Sequence, residues 1–255
     1  MHFNRQEAPV DWHPVDPRSW DLQQRGHTDW LSRGQTGAGR IVLNRPDFLR
    51  ADLHGLRLAG ARLVGPRMEG ASITGSDLSG TEIADGRMAR LRLVTANVGG
   101  ARWTGCSLEA ASGDLASFAA ANLEHCDLSR ASLRRTSWVA ATLVRCSFDS
   151  ADLTDSCWDN ARVTETSLRG ASLPRVDGRE HDRRGSAQGA VFAECDLRDL
   201  DVSRLRLGST RFIRCRVTGM RGAPTLLGEV VFEACDRGVH VPDVGGGGAA
   251  WLGWT

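Results

Sequence analysis

The sequence predicts a solenoid assembled from five-residue units, four to a turn, and three observations predict it. A large apolar residue returns at every fifth position from Leu43 to Leu173, and 26 of these 27 slots are bulky and apolar, Gly113 being the exception. A smaller residue recurs two places earlier, as in Ala51, Ala61, Ala71, Ala96, Ala101 and Ala116. Like residues also recur at 20: Cys106, Cys126 and Cys146, then Phe118, Trp138 and Trp158, and further on Phe192, Phe212 and Phe232 with Cys195, Cys215 and Cys235. A helix has a period of 3.6 and a strand a period of two, so neither produces this pattern. A repeat sustained this long marks stacked units. Coils stacked in register, roughly 4.8 Å apart, would set identical shapes face on face along the axis.

The units Ala51-Asp52-Leu53-His54-Gly55, Ala121-Asn122-Leu123-Glu124-His125 and Ala151-Asp152-Leu153-Thr154-Asp155 resemble the A-(D/N)-L-X-X unit of the pentapeptide-repeat family. The resemblance runs from Ile41 to about Ala234. It implies an all-β fold, a right-handed quadrilateral β-helix in which each pentapeptide makes one side and four make a coil. The central residue and the small residue two before it would point inward, the other three toward water. Counting slots gives about nine coils, a rod of roughly 40 Å at the strand spacing.

Taken in order, residues 1–40 do not repeat and are expected to form a small helical cap. Asp16-Pro17 starts the helix, with proline in the first turn, and Gly34 with the glycines at 37 and 39 ends it. Trp12, Trp20 and Trp30 would lie over the first coil, because a solenoid must cover its terminal coil. Residues 41–175 are the first run of the β-helix. From Gly55 to Gly80 every fifth residue is glycine, whereas later corners carry Ala110, Leu115, Ala120, His125, Arg130 and Arg135. Glycine tolerates positive φ, so the spacing predicts two kinds of corner, changing near residue 110. Trp103, ten residues before Gly113 and across the coil, is expected to fill the space that glycine leaves, since interiors are close-packed.

The polar stretch 176–189 breaks the count and is expected to project as an extruded loop. If one pentapeptide lies hidden at 176–180, the Cys195 column continues the one ending at Cys146 and Thr166. Residues 190–239 resume the β-helix. Residues 240–255, with four consecutive glycines and then Trp251, Leu252 and Trp254, read as a flexible C-terminal tail or lid.

Composition narrows the chemistry. The 32 basic residues are all arginine and nearly balance 31 acidic ones, so the net charge is +1. No apolar run approaches the length needed to span a membrane, and the first residues lack a secretory apolar core; a cytoplasmic protein is the expectation. Six of the seven cysteines fall in the small inward slot and read as buried, reduced thiols. Cys157 takes an outward slot and reads as a neutral surface cysteine, with a reactive thiol as the alternative. No nucleophile–base pair, metal-ligand spacing or phosphate loop stands out, so the reading is of a non-enzyme with no cofactor and no metal.

Binding is therefore the expected class, for which the resemblance supplies a partner. The best understood branch of the family protects type II topoisomerases, DNA gyrase above all, against quinolones and toxins. Its members are dimeric rods, often with a solenoid-interrupting loop that contacts the enzyme. The resemblance thus implies gyrase or topoisomerase IV as partner, the loop residues Arg179, Glu180, His181, Asp182, Arg183 and Arg184 as the contact, and a homodimer through the C-terminal end. No dimer helix is evident there. Some members present acidic faces resembling duplex DNA; here 16 arginines stand against 15 acidic residues across 41–175, which excludes a wholly anionic rod. A local acidic patch remains at Asp149, Asp152, Asp155, Asp159 and Glu165, interrupted by Arg162. The alternative is a scaffold or regulatory rod with an unidentified protein partner. Direct nucleic-acid binding is disfavoured: Arg40, Arg45, Arg50, Arg57, Arg62 and Arg67 form a basic end, but Asp47 and Asp52 dilute it and no stacking platform accompanies it.

Overall fold

The computed structural model describes residues 12–15, 17–174, 185–226, 228–236 and 249–252. Through them the chain winds as a parallel, four-sided β-solenoid of about nine turns with one short helix. The period of five becomes geometry as follows. Three extended residues make a side, the middle one points inward, and the next corner residue turns the chain by adopting positive φ. Successive coils then bond along the axis. Phe48 N–H donates to the Arg67 carbonyl at 2.7 Å, and Arg67 N–H to the Pro46 carbonyl at 2.9 Å. The first side, centred on Leu43, Leu63, Ile83, Trp103 and their successors, forms an 11-stranded parallel sheet from Val42–Asn44 to Ala249–Leu252. The other three sides contribute mostly single bridges per coil, such as Asp47↔Arg67, Asp52↔Ser72 and Arg57↔Asp77, with a two-residue ladder between Arg206–Leu207 and Thr225–Leu226 on the fourth.

The interior is a narrow apolar column. On the fourth side Phe118 and Trp138 stack with centroids 4.2 Å apart, and Trp138 and Trp158 stack at 5.2 Å. Phe192, Phe212 and Phe232 repeat the arrangement on the first side at 5.3 and 4.7 Å. A buried indole N–H needs an acceptor, and the small slots supply it. Trp138 Nε1 donates to Thr136 Oγ1 at 2.9 Å, Trp158 Nε1 to Ser156 Oγ at 2.7 Å, and Trp103 Nε1 to Thr81 Oγ1 at 3.0 Å. A hydroxyl two places before a tryptophan is thus a packing feature with a stated purpose. Cys106, Cys126 and Cys146 are aligned and buried, as are Cys195, Cys215 and Cys235.

At the N-terminal end, helix α1 (Pro17–Ser32) covers the first coil. Trp20 meets Phe48 edge-on at 5.4 Å, and Trp30 is buried over Gly60, where an added Cβ would come within 3.1 Å of the indole ring. His27 is fully buried, stacks on Trp30 and accepts the Ile41 N–H on Nδ1 at 3.1 Å. Gly39 has φ +115°, and a Cβ there would lie 2.4 Å from the Gly26 carbonyl oxygen, so only glycine lets helix and coil approach this closely. Strand β1 (His13–Pro14) pairs in parallel with Pro46–Asp47 and extends the second side below the first coil. Trp12 differs from expectation: it lies on the outer wall, 5.0 Å from the Arg67 guanidinium and 4.8 Å from that of Arg87.

Four further expectations are corrected. Corners on both sides of residue 110 share one conformation: φ is +67° at Gly55 and +62° at Gly80, and +64° at Leu115 and +58° at Arg135. What varies is the side of the coil, not the height along the rod. After the second, third and fourth sides a turn bond closes most corners, as from Ala51 N–H to the Phe48 carbonyl; the corner after the first side uses other acceptors, as when Cys146 N–H donates to Thr166 Oγ1. Secondly, the nearest atoms over Gly113 belong to Leu93 and Leu133, directly below and above it, at 2.5 and 2.9 Å from a notional Cβ. Axial neighbours, closer than the opposite side, fill that space, although Trp103 does point inward and is fully buried. Thirdly, Val163 pairs with Phe192, a step of 29 that leaves nine residues in excess and lets the Cys195 column continue that of Cys146 and Thr166 as expected, but the hidden pentapeptide lies elsewhere. The pentapeptide within 176–189 is centred on Ala187, not at 176–180, with Ser186 bridged to Cys157. Small Ala187 follows large Trp158 in the same column. Fourthly, Cys157 is buried rather than exposed. At the C-terminal end Ala249–Leu252 pairs with Val230–Glu233, adding a strand to the sheet of the first side.

Candidate functional site

The interruption between Leu173 and Gly185 is the one place where the described coils take up extra chain. Its roots are anchored. Asp155 N–H donates to the Pro174 carbonyl at 2.9 Å, and Asp159 Oδ1 accepts from Ser186 Oγ at 2.6 Å and from Gln188 N–H at 2.9 Å. Thr154, Asp155, Ser156 and Cys157 are all buried around these roots, though three of the four fall in slots that face water elsewhere. The sequence pattern alone could not have shown this, because slot position predicts orientation and not cover. The candidate contact residues Arg179, Glu180, His181, Asp182, Arg183 and Arg184 lie outside the described residues.

The acidic residues do not come together as one patch. Asp149 is on the second side, Asp152 and Asp155 on the third, Asp159 on the fourth and Glu165 on the first, so the five encircle the rod. Each is occupied locally. Asp149 accepts from Ser167 Oγ and from Arg169 N–H at 3.2 Å, Asp152 from Thr154 N–H at 3.0 Å, and Glu165 is paired with Arg145 at 2.8 Å. The hydrogen bond from Arg145 holds the Glu165 carboxyl below its ordinary pKa and raises that of the arginine. Sequence spacing of three to six residues around a coil of 20 scatters charges over different faces; only a spacing near 20 gathers them.

That longer spacing reveals what the local pattern hides. Along the corner between the second and third sides run Arg50, Gly70, Arg90, Ala110 and Arg130, one per coil, and beside them Leu49, Glu69, Ala89 and Glu109. Together these nine residues line an open groove of about 500 Å³. Arg130 is paired with Glu109. A second groove of about 460 Å³ lies between α1 and the first coil, lined by Ser19, Leu22, Gln23 and residues 39–42.

Four of the stacked thiols, Cys126, Cys146, Cys215 and Cys235, are held in the protonated form. Interaction with the sulfur of Cys106, with burial adding to it, pushes Cys126 up to about 12, and Cys195 does the same for Cys215, also to about 12. Cys146 and Cys235 are raised by their stacked neighbours too. Each sulfur donates to backbone carbonyls, Cys126 to Trp103 at 3.4 Å. Among the described residues no group of three His, Cys, Asp or Glu side chains could hold a metal ion, and no helix is long and apolar enough to cross a membrane.

The comparisons agree with this architecture. A model of pentapeptide repeats matches in eight copies, over residues 47–83, 92–130, 116–143 and 146–177. Among solved structures, two trypsin-treated variants of QnrB1, a plasmid-mediated fluoroquinolone resistance protein, share 16% identity. They align over 76% and 75% of this chain and 91% of each of theirs, with TM-scores of 0.50 and 0.51. HetL, a pentapeptide repeat protein involved in heterocyst differentiation regulation from the cyanobacterium Nostoc sp. Strain PCC 7120, shares 18% identity over 82% of this chain and 94% of its own, with a TM-score of 0.38. A search of curated proteins gives no match. Repeat pattern, coil register and matched residues agree: this chain belongs to the pentapeptide-repeat family.

Proposed function

We propose that the protein is a non-catalytic, cytoplasmic, protein-binding rod that engages a type II DNA topoisomerase, DNA gyrase or topoisomerase IV, and protects it from inhibitors or toxins. The observation that carries this reading is the nine-residue excess between Leu173 and Gly185, the largest departure from the 20-residue register among the described coils, where Leu207 to Leu226 and Phe232 to Trp251 each step by 19. A rigid rod loses little entropy on docking, and an insertion at one corner gives it a single asymmetric feature by which to address a partner. A fold shared with a fluoroquinolone resistance protein supports the choice of partner. In this reading residues 179–184 make the contact, while Asp155 and Asp159 hold its base. The interleaved charges of the walls favour protection through the insertion over imitation of duplex DNA by an anionic surface. A homodimer through the C-terminal end belongs to the same proposal.

The test is gyrase supercoiling in the presence of a quinolone, with the intact protein, with a variant lacking 176–184, and without either. Restored supercoiling by the intact protein alone is the expected result. If neither form restores supercoiling nor binds gyrase, the topoisomerase reading is removed and the scaffold reading takes its place.

A further inference from the structure

The groove along the corner between the second and third sides has an ordered charge pattern that the reading above does not use. Arg50, Arg90 and Arg130 stand on alternate coils, and the small residues Gly70 and Ala110 stand between them. In the adjoining column the order is reversed: Glu69 and Glu109 occupy the coils whose corners are small. Arg50 and Arg90 are exposed at the groove's rim. Glu69 is part-buried, and its Oε2, shielded from solvent, accepts no hydrogen bond; the nearest guanidinium atom, Arg67 Nε, is 4.0 Å away. A desolvated carboxylate oxygen without a donor is costly. The groove therefore presents guanidinium donors spaced along the axis, with the part-buried Glu69 between the first two.

Two coils span roughly 9.6 Å at the strand spacing. A β-strand repeats its side-chain direction every second residue, about 6.6 Å, which misses that interval. A polyproline II segment repeats every third residue at about 3.1 Å per residue, roughly 9.3 Å per turn, and it leaves its backbone N–H groups unbonded. Acidic side chains three residues apart in such a segment would meet successive arginines. From this match we propose that the Arg50–Arg90–Arg130 groove binds an extended, polyproline II-like peptide segment bearing an Asp or Glu at every third position. The site needs no topoisomerase, so it stands or falls separately from the function proposed above.

The test uses the full chain and a labelled (Asp-Ala-Pro)4 peptide, followed by fluorescence anisotropy. Controls carry the same number of aspartates at every second or every fourth position, and a single-stranded oligonucleotide of equal charge serves as a further competitor. The three-residue spacing is expected to bind at least about tenfold more tightly than either control peptide, a difference of about 1.4 kcal/mol. Arg50→Gln and Arg90→Gln should each weaken binding about tenfold, whereas Arg57→Gln, on the fourth side, should leave it unchanged. Far-UV circular dichroism of each variant confirms that the coils are intact, because these side chains are exposed. Equal binding of all three spacings, equal loss with Arg57→Gln, or preferential binding of the oligonucleotide would each overturn the proposal.

Discussion

One corner column, between the third and fourth sides, contains two regions that differ in sequence and coincide in shape. Its lower members are Gly55 and Gly75, at φ +67° and +65°; its upper members are Thr95, Leu115, Arg135 and Asp155, at +56°, +64°, +58° and +58°. A residue with a Cβ in this conformation costs roughly 1–2 kcal/mol that glycine does not, and β-branched Thr95 is the least suited of all. Yet the backbone does not yield. The interior beside the two regions differs in the opposite sense. The fourth-side column is aliphatic at Leu58, Leu78 and Val98, then aromatic at Phe118, Trp138 and Trp158. Three of the four substituted corners, Leu115, Arg135 and Asp155, lead into Phe118, Trp138 and Trp158, while Thr95 leads into Val98. The comparison teaches that the closed cross-section and its axial hydrogen bonds impose corner geometry, and that a denser core offsets the cost of residues that resist it.

The largest break in that relation should come from removing the stack. Trp138→Ala takes out a fully buried ring held between Phe118 and Trp158. A loss of about 3–5 kcal/mol is expected, read as a fall in the denaturation midpoint. Leu78→Ala, the same slot three coils down, should lose less, about 2–4 kcal/mol. If the two variants lose the same, the core does not compensate for the corners. Next in size is Gly113→Leu, which restores the apolar repeat but drives a side chain into Leu93 and Leu133, where even a Cβ would come within 2.5 Å. Overpacking typically costs about 1–3 kcal/mol. Stabilisation instead would mean that the site holds unfilled space.

These variants also mark what could be read from the chain beforehand. The inward slots were legible because burial imposes a five-residue period on composition; the register across the insertion was not fixed, because the repeats of Cys195 and Phe192 at 20 align columns only within their own run. The corner conformation was not, because glycine signals permission for positive φ and its absence signals nothing when the closed coil compels that conformation. Gly113 misled for a related reason: a residue's closest neighbours in a solenoid are 20 away along the axis, while the eye pairs residues ten apart across it. The acidic set Asp149–Glu165 was grouped by nearness in sequence, which in a coil of four sides means different faces. The Arg50, Arg90 and Arg130 groove has a period of 40 and shows only when every second coil is compared. Burial of Cys157 follows from what covers its slot, and no local pattern carries that.

Corner substitutions sharpen the comparison directly. Leu115 is 51% exposed, so its side chain contributes little burial to set against its backbone cost. Leu115→Gly should stabilise the rod by about 0.5–1 kcal/mol, the left-handed penalty less the added freedom of the unfolded chain. The mirror change, Gly75→Leu in the same column, should destabilise by about 1 kcal/mol. Thermal unfolding of the pair would decide it. Effects of one sign for both would show that side-chain contacts, not φ, govern the column.

The smallest effect is a pH dependence confined to the glycine-cornered end. Among the described histidines His13, His54 and His125 are exposed, and His27 alone is buried. Burial is the main reason its pKa falls below the ordinary 6.5; nearby Arg40 adds to this, and backbone contacts at Ala59 and Gly39 oppose it only in part. Nδ1 already accepts the Ile41 N–H, so a proton there would place two donors face to face. The other charge near this junction is Glu82, which binds Arg40 at 3.0 Å and offers His27 no relief. With the folded pKa below the unfolded one, the unfolded state takes up the proton first. Stability from the cap is therefore complete above about pH 6.5 and declines as pH falls toward the folded pKa. The aromatic coils contain no such group, so acid should loosen α1 before it touches them. His27→Gln keeps an acceptor for Ile41 and cannot titrate. Its unfolding midpoint should stay flatter than that of the unaltered protein between about pH 7 and 5. Parallel pH profiles would place the acid sensitivity in the carboxylate pairs along the rod and remove the distinction between its end and its middle.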